Sequence, residues 1–205
     1  MSDQYPFQSS VNVFVDWAKA RLDEMAANAG TLQTNLDKLD ANTRTQAEQA
    51  IAQLNQWIEK GKSDIETAQA QGEASVAQAK ADMDAMWAKY QGDSEKWAQL
   101  AQDHHATFQA RAQAQVQAWQ DTVNTYVQRL NDVHDQNKTQ AEAQVAQLQA
   151  DAQKAQADLT TKVDQLTKAG QSSWSAMSEA LDQSRDAFSK SIETAAKNFD
   201  DAIKS

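Results

Sequence analysis

The sequence predicts an all-α protein, and three observations carry that prediction. Helix breakers are scarce, with 5 Gly and 1 Pro in 205 residues. Ala, Gln, Lys, Glu and Leu, all good helix formers, dominate the composition. Apolar residues also recur in alternating steps of four and three, which places them on one face of a helix. Disorder is the rival class for a polar chain of net charge −10. The 6 Trp, the 5 Phe and the regular Leu, Ile and Val positions argue against it.

The stripe begins Val11, Phe14, Ala18, Leu22, Met25, Ala29 and continues Leu32, Leu36, Leu39, Thr43, Ala47, Ala50, Leu54, Ile58. It then runs through Gly61, Ile65, Ala68, Gly72, Val76, Met83, Trp87 and Tyr90. Its period is eleven: Leu32, Thr43, Leu54, Ile65, Val76, Trp87 form one row, and Leu148, Leu159, Gly170, Leu181, Ile192, Ile203 another. Phe108, Trp119, Leu130 and Leu166, Met177, Phe188, Phe199 repeat the pattern. Eleven residues in three turns is about 3.67 per turn, so the stripe stays nearly straight. A leucine zipper would repeat at seven, yet Leu32 and Leu39 are followed at that step by Gln46 and Gln53. The expected architecture is therefore long amphipathic helices with an 11-residue apolar repeat, folded as an antiparallel helical bundle or coiled coil.

Residues 1–9 read as an N-terminal tail. Residues 10–29 read as the most hydrophobic helix, with Val11, Phe14, Val15, Ala18, Leu22 and Met25 on its face and Trp17 on the flank. That composition fits an interfacial anchor. Asn28-Ala29-Gly30-Thr31 offers a Gly stop followed by a Thr cap. Residues 31–205 then form a long-helix bundle, with helices near 31–90, 94–168 and 172–204. Turns are expected near 91–93, where Gly92 can end a helix and Asp93 or Ser94 can cap the next, and near 169–172 around Gly170. The polar stretch from Asn131 to Asn137 is a further bend candidate, and Gly61 and Gly72 read as small contacts or flexible points.

Composition narrows function. With no Cys, disulfides and thiolate chemistry are excluded. No basic region precedes an apolar one at the N-terminus, and no run reaches the roughly 20 apolar residues of a membrane span, so a cytoplasmic protein is expected. The 29 acids and 19 bases leave no linear basic cluster for phosphate or nucleic acid. His104, His105 and His134 are the only histidines. A metal site needs three or four ligands held together, and no i, i+4 His/Glu pair accompanies them, so partly buried or solvated histidines are the simpler reading. Asp16-Lys19 and Glu59-Lys62 read as solvated ion pairs on polar faces. No phosphate loop, nucleophile elbow or metalloprotease pair is present, so neither catalysis nor a cofactor is expected.

Tryptophan poses the sharpest choice. Trp87, Trp97, Trp119 and Trp174 fall on or beside the stripe, and Trp17 and Trp57 flank it. They serve either as core anchors between helices or as amphipathic rings at a polar/apolar boundary. The stripe between them is thin, with Ala, Thr, Gly or Gln at many positions. Trp174-x-x-Met177-x-x-x-Leu181-x-x-x-Arg185-x-x-Phe188, followed by Ile192, Ala195-Ala196, Asn198-Phe199 and Ile203, resembles the tail of a phasin. Phasins are cytoplasmic helical proteins that coat polyhydroxyalkanoate granules. The eleven-residue rows and the Gln/Ala-rich polar face are also similar to exchangeable apolipoproteins.

The resemblance implies an amphiphile that forms homo-oligomers in solution and spreads on an apolar polymer or lipid surface. The contact residues expected for that role are Val11, Phe14, Val15, Trp17, Leu22, Met25, Trp87, Trp119, Trp174 and Phe188. The alternative is a structural or scaffolding bundle whose stripe is wholly used in packing and self-association.

Overall fold

A computed structural model describes residues 9–101, 104–130, 138–168 and 174–204. They form six helices: α1 (Ser9–Asn35), α2 (Ala41–Gln71), α3 (Glu73–Ala101), α4 (His104–Arg129), α5 (Lys138–Lys168) and α6 (Trp174–Lys204). A single 3-10 turn, Leu36–Lys38, follows α1. No strand occurs among the described residues. The all-α bundle expected from the stripe is the fold observed.

Contacts between side chains give the directions. Lys60 bonds Asp82 and the Ser75 hydroxyl bonds the Thr67 carbonyl, which sets α2 antiparallel to α3. Lys162 meets Gln183 and Asn198 meets Gln144, which sets α5 antiparallel to α6. Arg129 reaches Asn12 while Arg111 reaches Glu24, so α4 runs against α1. The chain is an up-and-down bundle, built as two three-helix halves. One apolar core belongs to α1, α2 and α3, and the other mainly to α4, α5 and α6.

Helix α1 is the shared element. It packs on α2 and α3 in its own half and on α4 and α6 in the other. Its stripe of Val11, Phe14, Ala18, Leu22 and Met25 is buried, and so are Asp16, Arg21, Glu24 and Asn28 from its polar face. The helix expected as a surface anchor is the centre of the molecule.

The turns differ from those predicted. Helix α1 continues through Gly30, and Thr31 returns its hydroxyl to the Ala27 carbonyl inside the helix. The reversal comes later, where the Asp40 carboxylate accepts the Asn42 and Thr43 backbone N–H groups and caps α2. Helix α3 likewise passes straight through Gln91-Gly92-Asp93, so there is no turn near 91–93. Ser94 does not cap a new helix; its hydroxyl bonds the Gln91 carbonyl one turn back. The second reversal is Gly72 alone, at φ 72° and ψ −155°, a conformation essentially confined to glycine. Its N–H closes α2 on the Ala68 carbonyl, and its carbonyl accepts Ser75 from the new helix. The 1–9 tail (but for Ser9, which opens α1), the bend at 131–137 and the turn near 169–172 lie outside the described residues.

Substitution separates the breaking glycine from the passive ones. Gly72→Ala should cost about 1–3 kcal/mol through strain. Gly92→Ala and Gly30→Ala, helical positions with open space around the added carbon, should each gain about 0.5–1 kcal/mol. Urea unfolding of the three variants reads the contrast. A Gly92→Ala variant less stable than the parent would restore the turn at 91–93.

Candidate functional site

Two features stand out once the halves are assembled: a buried ionic layer between them, and an open groove inside the second half.

The ionic layer centres on Glu24, which is 0% exposed. Its carboxylate accepts two bonds from Arg185, Nε to Oε1 at 2.9 Å and Nη2 to Oε2 at 2.8 Å. This bidentate fork is the strongest carboxylate pairing available to a side chain. Arg111 adds a third bond at 3.2 Å and Gln115 a fourth at 2.8 Å, while Gln115 also donates to the Leu181 carbonyl. One carboxylate on α1 thus ties α4 and α6 to the first half.

Aromatic rings complete the layer. The Arg21 guanidinium stacks over Trp17 at 3.9 Å and approaches Trp87 at 5.3 Å. Arg185 also lies over the Trp87 ring, 4.5 Å from its centroid. Arg111 sits between Tyr90 and Trp174, at 5.1 and 5.3 Å. Such contacts offset part of the desolvation that three buried guanidinium groups would otherwise suffer. Burial alone would lower Arg185, but Glu24 and Asp182 more than compensate and hold it above its ordinary value. Burial, with Arg185 nearby, pushes Arg21 down to about 10, which leaves it charged at neutral pH. Burial raises the Tyr90 hydroxyl to about 12.

The ion-pair expectations divide. Glu59 and Lys62 do form an exposed pair at 2.9 Å. Asp16 is not solvated; it is 7% exposed, and burial raises it to about 6 against the opposing charges of Arg129 and Lys19. A carboxyl whose native pKa exceeds its unfolded value binds its proton more readily when folded. Stability should therefore fall as pH rises from about 4 to 6, by roughly 2–3 kcal/mol. Asp16→Asn should remove that part of the slope. Urea unfolding at pH 4.5 and 7.5 for both proteins checks it, and parallel profiles would refute it.

The expected surface-contact residues are distributed across these features. Val11, Phe14, Val15, Leu22, Met25 and Trp87 are buried in the first core, with Trp17 partly buried against it. Trp119, Trp174 and Phe188 are buried in the second, where Trp119 packs against Phe188 with ring centroids 5.0 Å apart and planes tilted by 40°. Packing therefore brings them together in two interiors, and three of the tryptophans face arginine as well as aliphatic neighbours. Val127 is the exposed large hydrophobic residue among those described. Among the described residues no three His, Asp or Glu side chains converge as a metal set. His105 is exposed, and His134 lies outside the described residues.

The groove runs between α4 and α5. It has two lobes of about 440 and 490 Å³ that share Val116 and Gln156. Ala112, Val116, Trp119, Val123, Ala152 and Leu159 supply its apolar lining, and Gln side chains from both helices its rims. No charged residue lines either lobe. Helix α5 packs closely along α6 and more openly against α4, which is what leaves the space.

Spacing could have located the polar layer. Trp17, Arg21, Glu24 and Asn28 form a row with the same alternating steps as the apolar stripe, and Arg111, Gln115 and Arg185 interrupt that stripe at its own positions. No helix of the described residues is long and apolar enough to cross a membrane. Comparison with known proteins finds no match, whether to a protein-family description, a characterised protein or a solved structure.

Proposed function

We propose that this protein is a non-enzymatic amphipathic coat for an apolar surface, such as a storage granule or lipid particle in the cytoplasm. The observation that carries the reading is the α4–α5 groove. There the second core reaches solvent through a charge-free slot, although 23% of the chain is charged. A bundle that opens along this seam turns the stripe around Trp119 and Phe188 outward while its acidic, Gln-rich faces remain in water. The rest of the stripe is covered in the closed form, so adsorption requires opening and self-association competes with it.

The Glu24 layer favours a second reading, a permanently closed scaffolding bundle, because buried ion pairs specify one arrangement of helices. Co-sedimentation with neutral lipid emulsions and with polyhydroxybutyrate particles separates the two. The coat reading expects salt-insensitive binding, retained helicity and a shift in Trp emission. A protein that stays in the supernatant with unchanged emission is a scaffold.

A further inference from the structure

We propose that the α4–α5 groove is a binding site for one neutral single-chain acyl ester, of the monoacylglycerol type. The proposal rests on reading this seam as the face that meets apolar material, and it adds a discrete, saturable ligand to it.

Length, lining and charge all point to that chemistry. From Gln109 to Asn124 the groove follows α4 for about 22 Å at 1.5 Å per residue. An acyl chain occupying one leaflet is about 15 Å long, half the hydrocarbon core of a bilayer. The volume of each lobe lies within the range of pockets that hold small ligands. The partly exposed Val116 and Val163 offer methylenes an apolar contact, and the buried Trp119, Val123 and Leu159 line the same slot. Gln113, Gln153 and Gln156 line the slot with amides that both donate and accept, which suits an ester carbonyl and a hydroxyl. A carboxylate or phosphate head would lose its hydration here without gaining a cation, because no Lys or Arg lines the groove. The arginines of this half that are buried are already engaged with Glu24.

The test uses the full chain and a monoacylglycerol brominated in mid-chain, kept below its aggregation concentration. Bromine quenches tryptophan on contact, and Trp119 is the tryptophan that lines the groove. Saturable quenching at one ligand per chain is expected, and Trp119→Phe, which keeps an aromatic ring against Phe188, should abolish it. Gln156→Trp, placed where both lobes meet, should weaken binding about tenfold or more. The matching brominated fatty acid at pH 8 should bind more weakly than the ester.

Absence of saturable quenching, quenching that survives Trp119→Phe, or a carboxylate that binds as well as the ester would overturn the proposal. Emulsion binding without monomer quenching removes the groove site and leaves the coat reading standing. Monomer quenching without emulsion binding does the reverse.

Discussion

Glu24→Ala should destabilise the protein by about 3–5 kcal/mol, the loss expected when one partner of a buried ion pair is removed. The carboxylate is fully buried, and Arg111 and Arg185 are 1% and 3% exposed. Removal takes from Arg111 the carboxylate it pairs with and leaves Arg185 with Asp182 as its remaining partner, so it leaves buried charge uncompensated as well as deleting four hydrogen bonds. Glu24→Gln should recover little, since it restores shape and acceptor capacity at one oxygen but not the countercharge. Replacing the set with apolar residues (Glu24→Leu, Arg111→Met, Arg185→Leu) should return most of the loss, because the pairing then has no desolvation to offset.

Urea unfolding of the three proteins checks the ordering. A Glu24→Ala cost near that of a surface ion pair, under about 1 kcal/mol, would mean that water already reaches the layer. The same variants bear on function. If the protein coats by opening, Glu24→Ala should adsorb to neutral emulsion faster than the parent, because the tie between α1, α4 and α6 is gone.

The helices were legible because a three-and-four spacing is a local property of one face. The reversals were not, because the register passes through them unchanged. Leu39 and Thr43 are four apart across the Asp40 cap, and Ala68, Gly72 and Val76 are four apart across the glycine turn. The eleven-residue row therefore links residues on α1, α2 and α3 as if they shared one helix. Glycine content alone misled in the same way. Gly30 and Gly92 are exposed inside helices, whereas Gly72 is buried and takes a positive φ.

The candidate site was half legible. Polar residues at stripe steps, such as Arg111, Gln115 and Arg185, mark places where a helix buries something other than an apolar side chain. That they converge on Glu24, 87 and 161 residues away for the two arginines, depends on the bundle's topology and on no local pattern. Tryptophan was correctly placed on or beside the stripe, but its arginine partners come from this same long-range assembly. The groove depends on how far α4 stands from α5, which helix spacing does not encode.

Gly61→Leu should show how differently the two halves are packed. A Cβ added at Gly61 would lie 2.6 Å from Leu22 Cδ2 and 2.8 Å from Met83 Cε, in a core where Leu22 is 5% exposed and Met83 0%. A single methyl can be met by rotating those flexible ends, and it brings the helix-propensity gain of Ala over Gly. A leucine cannot be met so. It forces α2 away from α1 and α3, an overpacking cost at or above the usual 1–3 kcal/mol. Leu22→Ala alone should cost about 2–5 kcal/mol by opening a cavity. The double variant Gly61→Leu, Leu22→Ala should be more stable than the sum of the two, since the new side chain occupies the vacated volume. Additive losses would mean that α2 does not approach α1 this closely. Helices α4 and α5 leave a groove between them instead, so under the coat reading the seam that opens lies in the second half, and the same pair of substitutions placed there should cost less.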